Sequence, residues 1–146
     1  MKYVLFSLCA LVVLSCTSTD QQSSVDKQKA IRDTANFTTI EWLDSTNQTI
    51  PKITQGEVVE ITWKFKNSGD KPLVIADVHP GCGCTGAEGP SKPIAPGKEG
   101  VITAKFDSGN YPGMQHKEVY VTANNSNKNS TNRDVLRFAV EVAPKK

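Results

Sequence analysis

The stretch EVVEITWKFKN, residues 57–67, alternates with a period of two. Val59, Ile61, Trp63 and Phe65 fall on one side of an extended chain, and Glu60, Thr62, Lys64 and Lys66 on the other. Around a helix axis these two sets would scatter, whereas successive side chains of a strand point to opposite faces, so the stretch predicts a strand with one buried and one wet face. The pattern recurs. GVITAKFD (100–107) groups Ile102, Ala104 and Phe106, and KEVYVTAN (117–124) groups Val119, Val121 and Ala123. DVLRFAVEV (134–142) sets Leu136, Phe138, Val140 and Val142 against Arg137 and Glu141, and FTTIEWLD (37–44) supplies an opening strand. The nearly continuous apolar run LVIADV (73–78) predicts a strand buried on both faces or close to a sheet centre.

Turn-forming clusters separate these segments. In NSGDKP (67–72), Gly69 is free to take positive φ and Pro72 fixes the entry to the next strand. Asp107 reads as a turn residue that caps local backbone groups. Trp63 and Trp42 read as core, Tyr111 as a loop aromatic open to contact. No long stretch carries the 3.6-residue period of an amphipathic helix. About seven short strands in residues 37–146 predict an all-β, immunoglobulin-like antiparallel β-sandwich. A chain 38% hydrophobic and 22% charged suits one such domain and not a disordered polymer. The polar loop NNSNKNSTN (124–132) suits a mobile connection between the last two strands.

The N-terminus obeys different rules. Lys2 is followed by an uncharged apolar run over residues 3–14, too short for the roughly 20 residues of a spanning helix, so residues 1–15 predict a secretion signal. Its end, VLSC (13–16), resembles the lipobox of bacterial lipoproteins, in which the signal is cut before a cysteine that then carries lipid. Cys16 is the expected lipidation site, with palmitate among the acyl chains, each buried methylene of which contributes about 0.8 kcal/mol to membrane binding. Residues 16–36, rich in Ser, Thr, Gln, Asp and Lys, then form a flexible tether. The expected location is the bacterial cell envelope, on a membrane, facing periplasm or cell surface. Removing Lys2 leaves 16 basic against 15 acidic residues, with no basic stripe to attract nucleic acid.

The segments FKNSGDKPLVIADVHPGCGCT, PIAPGKEGVITAKFD, YPG and VYVTAN together resemble the bacterial family known as domain of unknown function 1573, over residues 57–142. The Asn67 and Gly69 turn, the strand from Leu73, CGCT (82–85) and PIAPG (93–97) carry the resemblance. It implies a secreted or lipid-anchored immunoglobulin-like domain, distantly similar to the major-sperm-protein and cilium-associated β-sandwiches, and it implies no established reaction. His79 does not belong to that motif.

With Cys9 leaving in the signal and Cys16 lipidated, Cys82 and Cys84 have only each other. In an oxidising envelope two thiols this close tend to form a disulfide, a local clamp whose small ring Gly83, lacking a β-carbon, makes feasible. A second reading is a copper or zinc site built from Cys82, Cys84 and His79, with Met114 and His116 of an MQH turn as further donors. A third is thiol–disulfide exchange, although its usual signature is C-x-x-C beside a βαβ unit. His116 also reads more simply as a solvent-facing residue at a strand start. G-x-S-x-G, phosphate-cradling and H-E-x-x-H patterns are missing from the sequence. The expectation is a non-enzymatic interaction or structural module without a cofactor, anchored in the membrane, its partner an envelope protein or a glycan and not nucleic acid. Edge strands and end loops are its natural contacts.

Overall fold

The computed structural model describes residues 19–125 and 133–146. The expected signal, the expected lipobox with Cys16, and residues 126–132 of the polar loop lie outside the described residues. A helix, α1 (Thr19–Ala30), comes first, and a single 3₁₀ turn at Thr34–Asn36 follows, its backbone capped by Asp33. The tether expected across 16–36 therefore holds a helical segment. It contains neither Gly nor Pro, and Gln, Lys and Ala are good helix formers, so it needs no apolar stripe to take this form. No described helix is long and apolar enough to cross a membrane.

Eight strands follow, against the seven expected: β1 (Ile40–Trp42), β2 (Asn47–Thr54), β3 (Val58–Asn67), β4 (Ile75–Pro80), β5 (Thr85–Glu88), β6 (Glu99–Asp107), β7 (Gly113–Ala123) and β8 (Arg133–Ala143). They form an all-β sandwich of two four-stranded sheets, ordered β1-β3-β6-β5 and β2-β8-β7-β4. Pairing is antiparallel except that β2 runs parallel to β8, with a shift in register between Ile50 and Ile53 on either side of Pro51. A proline cannot donate to the ladder, and β2 lies at a sheet edge, where that loss is tolerated.

Period-two alternation places the core as the sequence predicts. Ile61, Trp63 and Phe65 of β3, Ile102, Ala104 and Phe106 of β6, Val119, Val121 and Ala123 of β7, and all four expected residues of β8 are buried. Phe138 meets Phe106 edge-on with ring centres 5.8 Å apart and lies 6.3 Å from Trp63, so aromatic rings from both sheets meet at the centre. Each such ring contributes about 2–3 kcal/mol by leaving water. Trp42 is half-buried and packs edge-on against Phe65 at 5.5 Å.

Two expectations need correction. The run 73–78 is not a central strand: β4 is the edge of its sheet, Leu73 and Ile75 are buried, and Asp77 is exposed. Its apolar residues pack against the core from the rim and not from both faces. MQH is not a turn either, because β7 begins at Gly113 and Met114, Gln115 and His116 pair with Glu141, Val140 and Ala139 of β8.

The motif residues other than CGCT gather at one corner. Buried Asn67 ends β3, and its amide donates to the carbonyls of Lys71 and Ile94 at 2.7 and 2.9 Å. Its side-chain oxygen accepts from the Thr38 hydroxyl and the Gly69 N–H. Gly69 passes so close to Thr38 and Thr39 that a β-carbon would come within 2.7 Å of the Thr39 nitrogen. Ile94 pairs with Leu73, and Gly97, at φ +74°, donates its N–H to the Asn67 carbonyl. Only glycine adopts that φ without strain. As expected, Asp107 accepts from the backbone N–H of Gly109, at 2.8 Å.

Candidate functional site

Between Pro80 at the end of β4 and Thr85 at the start of β5 the chain crosses from one sheet to the other, and the cysteines sit in this crossing. Cys82 and Cys84 lie at disulfide distance with their α-carbons 5.5 Å apart, inside the usual bridging range of about 4.4–6.8 Å. The Gly81 N–H donates to the Glu118 carbonyl on β7, and the Asp107 N–H of β6 donates to the Cys84 carbonyl. The paired cysteines thus lock a short crossing that is tied to both sheets. Gly83 plays a smaller part than its sequence position suggests. Its φ is not positive and a β-carbon there would meet nothing within 4 Å, so the ring closes without glycine's conformational freedom.

His79, on β4, is already engaged. Its Nδ1 lies 2.6 Å from the Asp77 carboxylate, and its ring stacks on Tyr120, centres 5.3 Å apart. Met114 and His116 are exposed on β7. Among the described residues no three His, Cys, Asp or Glu side chains converge as a ligand set, so Cys82, Cys84 and His79 do not form an assembled metal centre.

Two hollows flank the crossing. Beyond Gly83 and Cys84, a hollow of about 470 Å³ is lined by Val58, Tyr111 and Lys105. Tyr111 is partly exposed, as expected of a contact residue, and carries the Lys117 ammonium 4.6 Å from its ring centre.

On the other side Cys82 opens onto a cavity of about 610 Å³ on the outer face of the second sheet. Strand register builds it. One row across β2, β8 and β7 reads Thr49, Ala139, His116, and the next reads Asn47, Arg137, Glu118. Short Ala139 between longer neighbours makes the depression. Arg137 donates through Nε to Glu118 at 2.8 Å, and the Tyr120 hydroxyl donates to the other Glu118 oxygen at 2.7 Å. The Tyr120 hydrogen bond, then Arg137, holds the Glu118 carboxyl below its ordinary range, while the same bond to Glu118 pushes the Tyr120 phenol up. Reading the sequence picks out none of Asn47, Thr49, Glu118 or Tyr120. The available signal was only the outward phase of their strands, with opposite charges at 118 and 137.

A family model for a protein of unknown function (DUF1573) matches residues 40–142, from the first residue of β1 to the second-last residue of β8. The chain belongs to the DUF1573 family. The match reaches further upstream than the motifs do and takes in β1 and β2. No curated protein matches the chain.

Solved structures share the fold of this DUF1573 domain at low identity. A protein of unknown function from Porphyromonas gingivalis W83 superposes with TM-score 0.62 at 16% identity, covering 75% of the chain and 49% of that protein. The chain therefore spans about half the length of that relative. The ASH/PapD-like domain 7 of human CEP192 superposes with TM-score 0.52 at 14% identity, over 76% of the chain and 88% of that domain. The secreted serine protease VesC of Vibrio cholerae gives TM-score 0.52 at 8% identity, over 81% of the chain but only 24% of the protease. These likenesses concern the sandwich alone.

Proposed function

We propose that this DUF1573 protein is a lipid-anchored, non-enzymatic binding module of the bacterial envelope. Cys16 carries the acyl chains, residues after it set the sandwich off from the membrane, and a polar face of the sandwich meets an envelope protein or a glycan. Cys82 and Cys84 form a disulfide that fixes the crossing beside that face, and no cofactor takes part.

The observation that carries this reading is the hydrogen-bonded set Arg137, Glu118 and Tyr120 in the cavity of about 610 Å³ beside Cys82. A general acid or base works best with a pKa near the working pH. Here the Tyr120 hydrogen bond, then Arg137, holds the Glu118 carboxyl below its ordinary range, and the same hydrogen bond pushes the Tyr120 phenol up. Polar groups already bonded to one another in this way suit recognition of a ligand better than proton transfer. A panel of chromogenic ester, peptide and glycoside substrates tests the point. Turnover at the level of a buffer control is expected for both the full chain and Glu118→Gln, and turnover that vanishes with Glu118→Gln would overturn the non-enzymatic reading.

A further inference from the structure

We propose that the depression over Ala139 is a binding site for a neutral oligosaccharide, which rests on the binding-module reading above. Thr49 and His116 stand on either side of Ala139, two strand spacings or about 10 Å apart, so the floor is open to a flat ring while both walls are polar. Asn47, Arg137 and Glu118 make the adjoining row. Tyr120 closes one end, with His79 stacked against it.

Hydrogen-bonding capacity is left over in this cavity. Arg137 uses Nε on Glu118, and among the described residues its two amino groups find no protein acceptor. The side chains of Asn47, Thr49 and His116 likewise have no protein partner among the described residues. Each Glu118 oxygen accepts one hydrogen bond and has room for another. Donors and acceptors thus alternate at close range around the depression, as recognition of neighbouring hydroxyl groups requires, since each hydroxyl both donates and accepts.

Charge selects the ligand class. Glu118 is matched by Arg137 at 2.8 Å, and Glu141, further along β8, by Lys52 at 2.7 Å. Lys117, which also lines the cavity, carries its ammonium over the Tyr111 ring, and the Arg133 guanidinium lies over the Tyr120 ring, so a polyanion or polycation would meet cations and pairs that are already engaged and would have to compete with them. A neutral polyol bonds to both members of a pair and leaves it intact.

Isothermal titration of the full chain in a sugar-free detergent provides the test, with cellohexaose, maltohexaose, laminarihexaose and N-acetylchitohexaose as probes and hexagalacturonate and a tryptic casein digest as comparators. At least one neutral hexaose should bind saturably, about tenfold more weakly to His116→Ala, as expected for one lost hydrogen bond. Ala139→Trp, which fills the floor from a half-buried outward strand position, should abolish binding with an unchanged circular dichroism spectrum, and Val58→Ala on the opposite sheet should bind as the wild type does. If Ala139→Trp misfolds, the double variant Thr49→Ala/His116→Ala replaces it. Binding that survives these substitutions, or no binding by any neutral hexaose, overturns the proposal. Binding of only the acidic oligomer or the digest also overturns it while leaving a binding module in place, whereas cleavage of a hexaose would remove the non-enzymatic reading itself.

Discussion

Asn67 shows how much one residue can organise in a small sandwich. Its amide and carbonyl groups tie together four backbone or side-chain partners from the 38, 69, 71 and 94 positions, all at the corner where β3 hands the chain to β4. Asn67→Ala would take the partner from the buried Thr38 hydroxyl and from three part-buried backbone groups, and each unmade bond costs about 1 kcal/mol, so a loss of about 3 kcal/mol is expected in urea unfolding. A loss below about 1 kcal/mol would show that the corner is held by other contacts. The importance of Asn67 and of Gly69 was legible in the sequence through the motif, but its cause was not. Their partners Thr38 and Ile94 lie 29 and 27 residues from Asn67 along the chain. Gly83 runs the other way: in the sequence it looks indispensable to the cysteine ring, while in the fold neither space nor φ demands it.

At the scale of elements, strands with one wet face announced themselves and strands without that contrast did not. β3, β6 and β8 expose alternating polar residues and their inward sets are read directly from the sequence. β5, sequence TGAE, is a strand because its backbone pairs with β6, and its small side chains give no alternation to detect. β2 is concealed by Pro51 and by its parallel partner β8, more than 80 residues away. The cavity over Ala139 was illegible for the same reason, since β2, β7 and β8 assemble it and only their register brings Asn47, Arg137 and Glu118 into one row. The crossing from β4 to β5 yields its own prediction. A bridge that encloses so few residues removes little unfolded-state entropy, so Cys82→Ser/Cys84→Ser should lower stability by only about 1.5 kcal/mol, roughly 5 °C in the melting midpoint. Intact mass should rise by two hydrogens on reduction of the wild type. A stoichiometric copper or zinc ion that disappears in the double variant would instead assign the cysteines to a metal.

For the whole molecule, the two sheets divide the labour. Aromatic and branched residues of β3, β6, β7 and β8 form one core that makes the sandwich, and the outer face of the β2-β8-β7-β4 sheet carries the polar cavity beside the cysteine crossing. Membership of the DUF1573 family accounts for the fold and its corner motif, over residues 40–142. The fold-class reading came from strand periodicity together with the lack of any long 3.6-residue period, because one-faced strands without helices to cover them bury that face by packing sheet on sheet or by closing into a barrel. The proposal of an anchored envelope module rests on a different part of the chain, the cysteine at the end of the VLSC sequence. Partition of the full chain between membrane and soluble fractions in high salt, compared with Cys16→Ala, tests that account most directly. Wild type in the membrane fraction and Cys16→Ala in the soluble fraction is the predicted result, and Cys16→Ala remaining with the membrane would contradict it.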